Sequence, residues 1–294
     1  MLPKYPEFTK LGLEHKDLIN DWAKKYEPYS DFNYVSLFSW NVDGSAEISS
    51  LNGNLVIRIP DYITEEPIIS LLGHNDIETS LGTLLEQPYE IKLIPQATVD
   101  ALPQEPGFNV VYDPANDDYI YQLQDLADLA GGALKKKRNK LNAFMTKYGD
   151  YVSFKHFDLH DKQKALGLKA CFDEWAKGRD AADTNVERLA IDRLLADANS
   201  FELKCYEVYI GEELVGFSIN EVLPFDYAIC HFQKAHIHHI NLDVYINVMV
   251  AKALLEEGCQ YVNWEQDLGI AGLRQAKSSY NPAKKLKKYT VSAA

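Results

Sequence analysis

A chain of 294 residues, 46% apolar and 25% charged, is ordinary globular material, long enough for two domains or one large α/β unit. Its formal net charge of -13 excludes a general nucleic-acid coat, which needs a cationic surface, and leaves room only for a local basic patch. No apolar run of about 18 residues occurs and MLPKYPEFTK lacks a signal peptide's apolar core, so a cytoplasmic protein with no transmembrane segment is expected.

The first predicted element is a helix over 14–26, with Leu18, Trp22 and Tyr26 on one face. Asn52-Gly-Asn54 then reads as a turn before a strand at Leu55–Ile59. A strand at Pro67–Leu72, a helix at Asp76–Glu86 and a strand at Glu90–Pro95 follow. Leu123–Tyr148 reads as a short and a long helix broken at Gly131-Gly132, anchored by Leu126, Leu129, Leu134, Leu141 and Phe144. The pattern then starts again. Residues 162–177 are helical, with Leu168, Phe172 and Trp175 inward. Glu202–Ile210 alternates, Gly211 turns, and Leu214–Asn220 runs back. A strand at Tyr227–Lys234, a helix at Leu242–Glu257 and a strand at Tyr261–Glu265 complete the series. The strings Asn20-Asp-Trp-Ala-Lys24 and Asp173-Glu-Trp-Ala-Lys177 fall at matching places.

Both halves therefore follow one order: helix, hairpin, strand, helix, strand, helix, strand. That order resembles the GNAT-type acyltransferase unit in tandem. The expected fold is α/β (α+β), two such units, each a mixed sheet flanked by helices. The expected divisions are 1–122 for the first unit, 123–150 for a basic connecting helix and 151–294 for the second unit.

The segment from Asn263 to Pro282 crowds acids, bases and a phenol near a predicted strand end. Glu265 and Asp267 are candidates for a base or an acid that orients an amine, since paired carboxylates suit proton transfer. The plainer alternative has Asp267 capping the helix that follows. Arg274 and Lys277 are three residues apart on one helical face and suit a phosphate, or else pair with the two acids as a closed network. Gly269 and Gly272 let backbone N–H groups approach a ligand, though ordinary turns use glycine too.

His231, His236, His238 and His239 invite a zinc reading, but no Asp or Cys partner lies at helical spacing, and no metal is expected. Lys234, at a strand end, is a candidate ligand for phosphate or carbonyl. Tyr245 either lines the same mouth or packs in the core. In the run Lys135–Lys140, the residues Lys136, Lys137, Arg138 and Asn139 form the best polyanion patch, with a solvated helix face as the alternative. Lys284–Lys288 flanks the last strand and reads as exposed. Cys171, Cys205, Cys230 and Cys259 show no C-x-x-C spacing and read as reduced, buried thiols, with a nucleophilic cysteine left open.

Asp118-Tyr-Ile-Tyr121, Leu126-Ala-Asp-Leu-Ala-Gly131, Lys136-Lys-Arg-Asn139 and Gly272-Leu-Arg-x-x-Lys277-x-x-Tyr280-x-Pro282 carry a further likeness. Through them roughly residues 15–290 are similar to the phosphatidylglycerol lysyltransferase C-terminal domain family. The resemblance implies a tandem GNAT-like fold and transfer of an aminoacyl group from a charged tRNA. It also implies that Arg274 and Lys277 grip a phosphate or the tRNA 3′ end, with Tyr280 packed or donating beside them as a catalytic candidate. The lipid synthases attach this domain to a multi-span membrane portion absent from this sequence, so the acceptor stays open among lipid, peptide and small molecule. The expected partners are tRNA, through the basic patch, and a peripheral lipid surface. No cofactor is expected, with aminoacyl-tRNA as donor substrate. Acetyl-coenzyme A is disfavoured because neither G-x-G-x-x-G nor Q-x-x-G-x-G occurs. The rival readings are a coenzyme-A-dependent N-acyltransferase and a non-catalytic ligand-binding module.

Overall fold

The structure, a computed structural model, describes residues 2–104, 107–179 and 181–294. The chain divides into two compact units. One comprises Met1–Asp118, Gln266–Arg274 and Lys285–Ala294; the other comprises Tyr119–Glu265 and Gln275–Lys284.

The first unit opens with β1 (Thr9–Lys10), α1 (Lys16–Ala23) and α2 (Tyr34–Trp40). The Asn33 side chain accepts from the Ser36 N–H at 2.9 Å and so caps α2. β2 (Glu47–Leu51) and β3 (Asn54–Pro60) form the expected hairpin. Asn52 and Gly53 turn it at φ 52° and 79°, the left-handed pair that a two-residue hairpin needs. β4 (Pro67–Leu72), α3 (Ile77–Leu85) and β5 (Glu90–Pro95) follow, then α4 (Gln96–Val99) and β6 (Phe108–Tyr112). β4 and β5 run parallel, because the α3 crossover returns the chain to the same edge. The sheet order is β1-β2-β3-β4-β5, then the last strand of the chain at Lys288–Ala293, then β6. α3 lays Ile77, Leu81 and Leu84 on the sheet against Val56, Ile69, Leu71 and Ile91.

In the second part of the chain come β7 (Asp118–Gln122), α5 (Leu123–Asp128) and α6 (Lys135–Tyr148). Leu129 at φ 48° and Gly131 at φ 75° make the expected break between the helices. β8 (Val152–Phe157), α7 (Lys162–Ala176) and α8 (Ala181–Ala196) precede a hairpin of β9 (Leu203–Ile210) and β10 (Glu213–Leu223). Asp161 caps α7, accepting from the Gln163 N–H at 2.8 Å. β11 (Tyr227–Ala235), α9 (Leu242–Glu256) and β12 (Tyr261–Asn263) repeat the parallel crossover. α10 (Ala271–Ser278), β13 (Lys284–Leu286) and β14 (Lys288–Ala293) end the chain. The second sheet runs β13-β7-β12-β11-β10-β9-β8. Both sheets are mixed and flanked by helices, which is the fold class expected.

The divisions differ from those the sequence suggested. The segment 123–150 is no connector: Leu123, Leu126, Ala127 and Phe144 belong to the second unit's core with Tyr245, Ile246, Val250 and Leu254. Likewise 151–294 is not one body. β14 pairs with both β5 and β6, which takes the chain's end into the first unit. Lys288 on that strand is buried, not exposed as the run Lys284–Lys288 suggested; its ammonium pairs with Asp31 and, at 2.8 Å, with Asp118. No helix among the described residues is long and apolar enough to cross a membrane.

Candidate functional site

The second unit's site grows from an irregularity in its sheet. β10 and β11 pair Ile219 with Phe232 and Asn220 with Cys230, which leaves His231 without a partner residue at a bulge. A bulge re-aims the side chain it carries. Next door, β11 and β12 run parallel with Ile229 opposite Asn263. His231 lies two residues past Ile229, and Glu265 two residues past Asn263. Nδ1 of the buried imidazole lies 3.8 Å from the Glu265 carboxylate, and Nε2 lies 3.2 Å from that of Glu221. Burial alone would push this imidazole toward neutrality, but hydrogen bonds and charge from the two carboxylates outweigh it and raise its pKa to about 9. His231 is thus an imidazolium near pH 7 between two acids.

Glu265 sits just past the end of β12 at φ 58°, a left-handed backbone that a non-glycine residue rarely adopts. Its N–H donates to the Asn263 side chain at 2.6 Å and its carbonyl accepts from the Tyr119 N–H at 3.2 Å, so the turn is held from both sides. The carboxylate remains 17% exposed.

Of the other predicted residues, Lys234 and Lys277 belong to this unit's site and are engaged. Lys234 donates to Glu187 at 2.6 Å and lies 4.3 Å from the Trp175 ring centre. Lys277 donates to the Trp264 carbonyl. The half-buried Cys230 thiol, 3.7 Å from the Ser218 hydroxyl, is pushed up to about 11 by burial. Tyr280 is buried, packed edge-on to Trp264, and carries Lys137 over its ring at 3.6 Å. Tyr245 is buried and stacks on Phe144, which settles its alternatives in favour of the core.

Asp267 and Arg274 lie in the first unit and take the closed-network alternative. Arg274 donates to both oxygens of the buried Asp267, whose Oδ1 also accepts from the Gly269 N–H at 2.8 Å. Gly269, at φ 75°, is needed for that turn. Gly272 is within α10, where an added Cβ would meet nothing within 4 Å, so close approach is not its reason. Of the four residues expected to share a hollow, Asp267 and Arg274 are described with the first unit, and Glu265 and Lys277 with the second.

The basic run on α6 also divides. Lys136 and Asn139 are exposed. Arg138 instead donates to the Leu129 carbonyl and, at 3.3 Å, to the Gly131 carbonyl, tying down the break before its own helix. Lys137 turns inward to Tyr280.

A Cys–His contact elsewhere in the second unit carries no nucleophile. Nε2 of His236 lies 3.3 Å from the Cys171 sulfur and 3.0 Å from the Cys171 carbonyl. A ring N–H committed to that carbonyl cannot take up the thiol proton, and burial pushes the thiol up to about 12. Among the described residues no three His, Cys, Asp or Glu side chains gather around a common point as metal ligands.

Sequence reasoning missed Glu221 and Glu187, and treated His231 only as one of four clustered histidines. No local sequence signal marks His231, because its place depends on the bulge between β10 and β11.

A solved structure of a conserved protein from Bacteroides thetaiotaomicron is 26% identical, covers 100% of both chains and has a TM-score of 0.82. The C-terminal domain of a protein assigned as a lysylphosphatidylglycerol synthetase, from Agrobacterium fabrum, is 14% identical over 96% of this chain and 91% of that one, with a TM-score of 0.65. L-PGS from Bacillus licheniformis is 14% identical over 99% and 93%, with a TM-score of 0.61. No curated protein matches the sequence. The family described as phosphatidylglycerol lysyltransferase, C-terminal, matches residues 94–292, and the chain belongs to that family.

Proposed function

We propose that this protein moves an aminoacyl group from aminoacyl-tRNA to a lipid, peptide or small-molecule acceptor, and that Glu265 meets the aminoacyl group. Family membership supports acyl transfer as the reaction class. The observation that carries the assignment to Glu265 is the bulge-borne imidazolium of His231 shared with Glu221. The Glu265 carboxylate, 17% exposed at the strand tip, is the group offered to a substrate's α-ammonium. An aminoacyl ester is already activated, so holding it in line with an acceptor is the main requirement. Lys136 and Asn139, three apart and exposed on α6, supply contacts for the tRNA backbone.

The loop before α9 supports a donor other than coenzyme A. The N–H groups of His236, His239 and Leu242 donate to Val215, His236 and His239 carbonyls, so those amides are not offered to a pyrophosphate.

The test mixes the protein with radiolabelled aminoacyl-tRNA and lipid or peptide extract. Label is expected to pass to an acceptor, and Glu265→Gln is expected to lower the rate at least tenfold without loss of fold. Absence of transfer from every charged tRNA would overturn the reading.

A further inference from the structure

The first unit contains a cleft of about 360 Å³ lined by none of the residues assigned above to aminoacyl transfer. Three segments wall it: Glu27 and Tyr29 after α1, Gln96 and Asp100 in and after α4, and Lys285–Lys287 before β14. Its charges are mixed, and two of them have no ionic partner. The Lys287 ammonium is 5.6 Å from the Tyr112 ring centre, and among the described residues no carboxylate pairs with it. Asp100 accepts from the Gln96 side chain at 2.6 Å, and among the described residues no cation pairs with it. Lys285 is different, being 3.5 Å from Asp117.

We propose that this cleft binds a small zwitterion of the α-amino-acid class. The ligand carboxylate meets Lys287 and the ligand ammonium meets Asp100, with Glu27 reinforcing that side. Opposite charges in one wall discriminate by repulsion as well as attraction. A phosphate or dicarboxylate is repelled by Glu27 and Asp100, and a polyamine is repelled by Lys285 and Lys287. Only a ligand carrying both signs satisfies both. The size of the cleft is that of ordinary small-molecule sites, and the buried Tyr29 adds an aromatic wall. Gln96 holds Asp100 through its amide and accepts from the Tyr289 hydroxyl, so the acidic side is fixed in place.

The test is calorimetric titration of the full chain with each free L-amino acid, with ethylamine and acetate as single-charge controls. At least one amino acid is expected to saturate the protein, with both controls at least tenfold weaker. Lys287→Ala and Asp100→Ala should each weaken that binding at least tenfold, whereas Glu265→Gln should leave it unchanged. Both substituted side chains are exposed, so circular dichroism is expected to show an intact fold. The proposal is overturned if no amino acid saturates, or if binding survives both cleft substitutions. It is equally overturned if Glu265→Gln abolishes binding, which would locate the ligand at the strand tip.

Discussion

Arg274 grips Asp267 with two parallel donors, Nε and Nη2, each 2.9 Å from a carboxylate oxygen. Asp267 is wholly buried while Arg274 is about half exposed, so the pair is anchored on the acid's side. Removing the guanidinium takes two donors away from a buried carboxylate that also accepts from the Gly269 N–H. Arg274→Ala is therefore expected to lower unfolding stability by about 2 kcal/mol, less than a fully buried pair because water reaches the arginine side. Arg274→Lys should recover only part of that loss, since an ammonium cannot fork. Urea denaturation measures both. Unchanged stability joined to weakened tRNA binding would instead make Arg274 a phosphate anchor.

His231 predicts a pH dependence with a defined sign. Its pKa rises from an ordinary 6.5 to about 9 in the folded protein. The stabilisation is fully present below pH 6.5 and is lost as pH climbs through 9. A shift of that size in a buried group corresponds to about 3 kcal/mol. Unfolding titrations at pH 6 and pH 10 should differ by this contribution in the native chain and lose it in His231→Gln. Parallel pH profiles for the two proteins would show that the imidazole is neutral.

Periodicity and turn chemistry carried much of the architecture. The Asn52-Gly53 hairpin, the break at Gly131 and the repeated crossovers are local signals, and each has its element in the fold. α2 was not legible because Tyr34 through Ser39 are all buried, so no polar face marks its period. α8 was obscured by Val186 and Leu189, apolar residues left exposed beside the inward Ala190, Ile191 and Leu194. The insertion of β14 between β5 and β6 depends on pairing across nearly 200 residues, which no local pattern encodes. At the site, Glu265 was legible as an acid at a strand end. Its partner His231 was not, because a bulge and a strand register had to be known first.

The buried cluster on β14 separates two carboxylates that look alike. Lys288, Asp31 and Asp118 are all fully buried, two acids to one ammonium. Burial pushes Asp31 up to about 6, against the pull of Lys288. A carboxylate raised in the folded state contributes stability that is present below pH 3.8 and is lost as pH rises through 6. Asp31→Asn should remove that decline and leave Lys288 and Asp118 as a neutral pair, with little loss at pH 7. Lys288→Met should destabilise by at least about 4 kcal/mol, because two buried acids are left facing each other. Thermal unfolding at pH 4 and pH 7 distinguishes the variants. A large loss from Asp31→Asn at pH 7 would contradict this ranking.

Lys137 offers a final check on the inward face of α6. Its ammonium sits 3.6 Å from the Tyr280 ring centre, where burial lowers its pKa to about 8. The Lys140 charge pushes in the same direction and Asp243 opposes it. A depressed ammonium is half deprotonated near pH 8, whereas exposed lysines titrate near 10.4. Reductive methylation with ¹³C-formaldehyde followed by NMR titration should give one lysine signal with a midpoint near 8. Asp243→Asn should move that midpoint lower, by removing the charge that favours the ammonium, and Lys140→Gln should move it higher. Lysine signals that all titrate above pH 10 would mean that burial does not govern Lys137 and that the Tyr280 ring and Asp243 hold its ammonium in the charged form.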